Sequence, residues 1–189
     1  MAKIIDNTSL KSFIDNEIYK ANIALSNGTI IQDNITYAFL QCFVKLEQFI
    51  INSYKQYAIG YKSNFNFKPK RLVKFQNELA VEKLHSKIES FITVNIINYM
   101  YLDVFEKGII KNPYSNLFET TMLSDYKKME AMRNLICHRS EKALKNFYNK
   151  CTFGAIITIE DYLTNNNCQN FLYYLTKIKD ISESIVNPI

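Results

Sequence analysis

An all-α helical bundle is the fold class this 189-residue sequence predicts, on three observations. Four Gly and three Pro leave too little turn punctuation for a β-sandwich or barrel of this length. Apolar residues recur at intervals of three and four over long stretches, the period of a helix with one buried face. Hydrophobic residues make up 48%, including 13 Phe and 13 Tyr, enough to bury a core and to exclude the disordered class. The length fits a single domain, 1–189, with its core at about 30–150 and helices flanking it at both ends.

The first helix follows Thr8 or Ser9 as cap, with Leu10, Phe13, Ile14, Ile18, Ala21 and Leu25 as its apolar stripe, and Ser26, Asn27 and Gly28 end it. A second is predicted from Asp33 to Ile59, on Ile35, Ala38, Phe39, Cys42, Leu46, Phe49 and Ile50, with Gly60 where a C-terminus favours positive φ. Glu47 is expected at its rim or facing solvent. Pro69 and the loss of period make the next stretch a loop, after which helix resumes near Leu72 and runs in large part to Gly108 and Pro113. Ser124 caps a helix that reaches His138 and turns Tyr126, Met129 and Ile136 inward. A shorter helix follows Ser140, the run 151–159 reads as helix or strand, and the last helix starts at Gln169 and aligns Phe171, Tyr174, Leu175, Ile178, Ile181 and Ile185.

The N-terminus lacks the basic and apolar regions of a signal peptide, and the most apolar window, 91–105, is interrupted by Asn95, Asn98 and Asp103. A cytoplasmic location without membrane contact is expected. Cys42, Cys137, Cys151 and Cys168 match neither a CxxC pair nor a disulfide framework, so they read as reduced thiols. His85, Cys137, His138, Cys151 and Cys168 lack the close ligand pairs of a zinc site. Neither metal nor cofactor is expected, and His85 is given no role.

Net charge is +5, and two segments carry the excess. Within 61–74 lie Lys62, Lys68, Lys70, Arg71 and Lys74 with no acid, interleaved with Tyr61, Phe65 and Phe67; within 124–150 seven basic residues face three acids. Cations for phosphates and rings for unpaired bases are the ingredients of an RNA contact. A solvated loop has the same composition.

The sequence holds three Arg and two His, and one of each falls in Arg133-Asn134-Leu135-Ile136-Cys137-His138. Imidazole as a residue type exchanges protons near neutral pH, which makes His138 a candidate general base or acid. A guanidinium presents a charged planar fork, so Arg133 is a candidate for orienting a phosphate. Helix positions five apart differ by about 140° in azimuth, so Asn134, four before His138, is the residue placed to orient the imidazole.

This string resembles the motif of HEPN domains: Arg, a polar residue such as Asn, and then His near the end of a helix in an all-α bundle. The helix containing Val44-Lys45-Leu46-Glu47-Gln48-Phe49 and the run Lys128-Met129-Glu130-Ala131-Met132 before the arginine add to the likeness. The resemblance implies a HEPN-like bundle that forms a homodimer through its motif helices. It also implies a metal-independent endoribonuclease in which the 2′-hydroxyl attacks the adjacent phosphate, leaving 2′,3′-cyclic phosphate and 5′-hydroxyl ends. Arg133, His138 and the orienting Asn134 form the catalytic set; Lys68, Lys70, Arg71, Lys74 and Arg139 are the expected RNA contacts. The implied setting is bacterial defence, abortive infection or a toxin–antitoxin system, with an antitoxin or defence protein as partner. In HEPN toxins paired with nucleotidyltransferase antitoxins a Tyr commonly stands two residues after the His; here Ser140 stands there, which puts that regulation in doubt. The alternative classes are a non-catalytic HEPN module binding RNA, a nucleotide or a regulated protein, and a purely structural helical dimerisation protein.

Overall fold

The computed structural model describes residues 4–84, 93–108, 110–119, 121–152 and 154–188. Helix occupies 72% of the chain, in agreement with the predicted all-α class. Among the described residues the elements are β1 (Ile4–Ile5), α1 (Thr8–Ser26), α2 (Gln32–Ile59), β2 (Lys62–Ser63), α3 (Glu78–Leu84), α4 (Val94–Asp103), α5 (Ser115–Glu119), α6 (Met122–His138), α7 (Glu141–Cys151) and α8 (Ile159–Val186). None of these helices is long and apolar enough to cross a membrane. The chain forms two compact units, one of Met1–Ser9, Leu46–Leu123 and Asp180–Ile189, the other of Leu10–Lys45 and Ser124–Lys179.

In the first unit β1 and β2 pair in parallel, Ile4 opposite Lys62 and Ile5 opposite Ser63, a ladder the helical pattern did not announce. The second half of α2 buries Leu46, Ile50, Tyr54, Tyr57 and Ala58, and Tyr57 donates its hydroxyl to the Ile185 carbonyl at 2.9 Å. Glu47, expected at the rim, is buried at 4% exposure. The predicted end at Gly60 is met: Gly60 has φ +103°, its N–H bonds the Tyr57 carbonyl, and the Tyr61 N–H bonds that of Gln56. This double bond satisfies carbonyls that the helix end would otherwise orphan.

The helix expected to resume near Leu72 begins only at Glu78, as α3; the segment before it is extended or irregular. Its backbone bonds are spent elsewhere, Leu72 N–H on the Val104 carbonyl at 2.8 Å and the Lys70 carbonyl on Glu106 N–H at 2.8 Å, with Arg71 bridging Phe105 antiparallel. Leu72 and Leu79 are 60% and 59% exposed, so their spacing marked no buried stripe. Residues 85–92, which carried part of the same expected helix and His85, lie outside the described residues.

Arg71 also fixes the α2 terminus. Its Nη1 donates to the Ala58 carbonyl at 3.0 Å, and a Cβ at Gly60 would stand 2.8 Å from Nη2 and 2.9 Å from Cζ. Gly60→Ala therefore meets both a left-handed backbone and a displaced guanidinium, and is expected to destabilise this unit by about 1–3 kcal/mol in chemical denaturation. An unchanged midpoint would show that Arg71 does not pack there.

In the second unit α1, the first half of α2, α6, α7 and most of α8 enclose an aromatic core. Phe43 lies 5.4 Å from Tyr126 and 6.3 Å from Phe39, Phe39 meets Tyr174 edge-on at 6.3 Å, and Phe147 meets Tyr162 edge-on at 5.5 Å, between ring centroids. Such pairs add to the burial of the rings themselves. The Asp6 carboxylate accepts the Thr8 N–H at 2.9 Å, so the entry to α1 is held two residues before its first helical residue rather than by Thr8 or Ser9. Among the described residues of 151–159 there is no strand: Cys151 ends α7, Gly154 turns at φ +89°, and residues 155–158 are irregular until Thr158 Oγ1 accepts the Asp161 N–H at 3.0 Å.

α8 is interrupted by non-helical backbone at Asn165 and by three left-handed residues, Asn166, Asn167 and Cys168. Asparagine tolerates that region better than most side chains, and three occur here in succession. Helix restarts at Gln169 as predicted, and Phe171, Tyr174, Leu175, Ile178, Ile181 and Ile185 are all buried.

Candidate active site

α6 begins at Met122, two residues before the expected cap Ser124, and buries Asp125, Tyr126, Met129, Ala131, Met132, Arg133 and Leu135. Asp125, at 7% exposure, accepts the Tyr173 hydroxyl on both carboxylate oxygens at 3.1 Å, which anchors the start of the helix to α8. Ile136, expected to face inward, is half-buried, and Cys137 and His138 are exposed.

Arg133 is 3% exposed, and its Nη1 donates to Asn134 Oδ1 at 2.6 Å. Its guanidinium is therefore turned into the protein. Asn134, expected to orient the imidazole, is held by Arg133 instead; no hydrogen bond joins it to His138 among the described residues. The two do share a cleft of about 450 Å³, lined by Asn134, His138, Ser140, Lys142, Ala143 and Asn146.

The cleft is made by the corner between two helices. His138 closes α6, and Arg139 follows at φ +44°, its N–H on the Leu135 carbonyl at 2.9 Å. Gly or Asn usually fills such a left-handed position, and a longer side chain strains there. Ser140 then caps α7, its Oγ accepting the Ala143 N–H at 3.2 Å. At this corner His138, Arg139 and Lys142 are exposed.

Of the other expected RNA contacts, Lys68 and Lys74 are exposed, but Lys70 pairs with Glu106 at 2.5 Å and Arg71 is committed to the α2 terminus. Lys70 and Lys111 together hold the Glu106 carboxyl below its ordinary range, the hydrogen bond from Lys111 contributing most. These residues belong to the first unit, whereas Arg133, Asn134, His138 and Arg139 belong to the second.

No family model, no curated protein and no solved structure matches the chain. Among the described residues no group of three or more His, Cys, Asp or Glu is placed to hold a metal ion. The chemistry open to the cleft is that of an accessible imidazole, two carboxamides and a cation.

Cys42, Cys151 and Cys168 are buried, while Cys137 beside His138 is exposed. Burial pushes the Cys42 and Cys151 thiols up to about 12 and raises that of Cys168. Since the thiolate is the reacting species, iodoacetamide at neutral pH is expected to modify the folded protein at Cys137 alone, read by intact mass and peptide mapping. A second labelled cysteine would contradict the buried placements.

Proposed function

We propose that this protein is a HEPN-type, metal-independent endoribonuclease whose reacting group is His138. The observation that carries the reading is an exposed imidazole at a helix corner, sharing its cleft with a carboxamide that a buried guanidinium holds in place. In this reading neutral His138 accepts the proton of a ribose 2′-hydroxyl as the O2′–P bond forms. The P–O5′ bond breaks, O5′ takes a proton from solvent, and His138 returns its own, so the net change is transesterification to a 2′,3′-cyclic phosphate. Arg133 acts through Asn134 as a positioning residue, which its burial favours over direct phosphate contact. The same reading includes a homodimer across the motif helices and an antitoxin or defence-system protein as partner.

The test is incubation of purified protein with structured and unstructured RNAs in the absence of divalent metal, with the end groups identified chemically. Cleavage to 2′,3′-cyclic phosphate and 5′-hydroxyl ends, lost in His138→Ala, supports the reading. RNA binding without cleavage under any condition replaces it with the non-catalytic module.

A further inference from the structure

Asn134, His138, Lys142 and Asn146 stand four residues apart in the sequence, and all four line one cleft although a helix break lies between the second and the third. On a single helix such spacing produces one stripe. Here the left-handed turn at Arg139 divides it into two pairs, Asn134 with His138 on α6 and Lys142 with Asn146 on α7. Asn134 is engaged by Arg133, whereas among the described residues neither Lys142 nor Asn146 has a side-chain hydrogen bond or ion pair. A cation and a carboxamide with donors and acceptors unspent thus border the accessible imidazole. A volume of about 450 Å³ lies within the range of small-ligand sites.

We propose that Lys142 and Asn146 are the substrate-binding residues of this cleft, which receives one unpaired RNA nucleotide with its phosphate on Lys142 and its base edge on Asn146. This rests on the ribonuclease reading and extends it to substrate class. The chemistry suits the ligand at each point. A lysine ammonium contacts phosphate as a point charge without reading sequence. An Asn carboxamide pairs a donor with an acceptor and so discriminates between base edges. Unpaired RNA is favoured because a base can enter such a cleft only when it is free of a helical stack.

Two arms test this. In the first, His138→Ala protein binds a fluorescent oligoribonucleotide methylated at every 2′-oxygen, followed by anisotropy at several salt concentrations. Adding Lys142→Ala is expected to weaken binding equally for all sequences and to reduce the slope of log K against log salt by about 0.7. Adding Asn146→Ala is expected to leave that slope unchanged and to flatten the preference among bases by about five- to a hundredfold. In the second arm, protein with His138 intact cleaves oligonucleotides that carry a single ribose and differ in the base 5′ of the scissile phosphate. Asn146→Asp is expected to reorder the preferred bases, and Lys142→Arg to restore most of what Lys142→Ala loses. Cleavage that is the same in wild type, Lys142→Ala and Asn146→Ala overturns this proposal and leaves the ribonuclease reading standing. Binding that responds to both substitutions without any cleavage by wild type does the reverse.

Discussion

In the ribonuclease reading His138→Ala is expected to lower RNA cleavage by about 10²- to 10⁴-fold, the contribution of a positioned general base or acid, while the unfolding free energy stays within about 0.5 kcal/mol. The two readouts separate because the His138 side chain is exposed at the end of α6. Arg133→Ala behaves differently. Its guanidinium is buried and bonded to Asn134 at 2.6 Å, so the substitution removes a buried charged group and frees the carboxamide. It is expected to cost about 1–3 kcal/mol of stability together with most of the activity. Steady-state cleavage and urea denaturation on both variants check the pair. An Arg133→Ala protein that keeps both native stability and full activity would overturn its positioning role.

Phe147→Ala destabilises the protein by about 3–5 kcal/mol, the cost of deleting a fully buried aromatic side chain. Phe147 is 0% exposed and meets Tyr162 edge-on. It lies on α7 one residue after Asn146, so the same ring that fills the core fixes the helix carrying Lys142 and Asn146. Activity at a temperature where the variant remains folded is expected to fall further for short substrates, which depend on the cleft, than for long ones. A loss below 1 kcal/mol would mean that the cavity collapses and that α7 is held by other contacts.

Helices with a continuous apolar stripe were legible in the sequence almost to the residue. α2 and the segment from Gln169 are examples, because burial of one face and a glycine or a turn at the end are local signals. The stretch after Pro69 was not legible in that way. Leu72, Phe75 and Leu79 repeat at helical intervals, but the backbone of 70–72 is claimed by residues 104–106, a partner more than thirty residues away that no local window contains. At the site, the order Arg133, Asn134, His138 was visible, yet the side-chain pairing was not. Position on an ideal helix placed Asn134 beside His138, while a buried guanidinium one residue away competes more strongly for its oxygen. Lys142 and Asn146 were hidden by the same simplification. They stand four and eight residues after His138 in the sequence, and only the corner at Arg139 turns that spacing into a shared cleft.

The left-handed run in α8 limits how this chain can be lengthened. In one continuous helix residues 162 and 174 would be separated by about 18 Å along the axis, yet the hydroxyls of Tyr162 and Tyr174 lie 3.0 Å apart. Three left-handed residues therefore fold the chain back on itself, with the Asn170 side chain donating to the Tyr162 carbonyl at 2.8 Å. A joint this short has no slack: one added residue rotates the following helix by about 100° and turns its apolar stripe away from the core. The irregular segment around Ile156, which is 89% exposed, is bound by no such register, and it is there that a reporter peptide or a new chain terminus can be introduced without disturbing the fold.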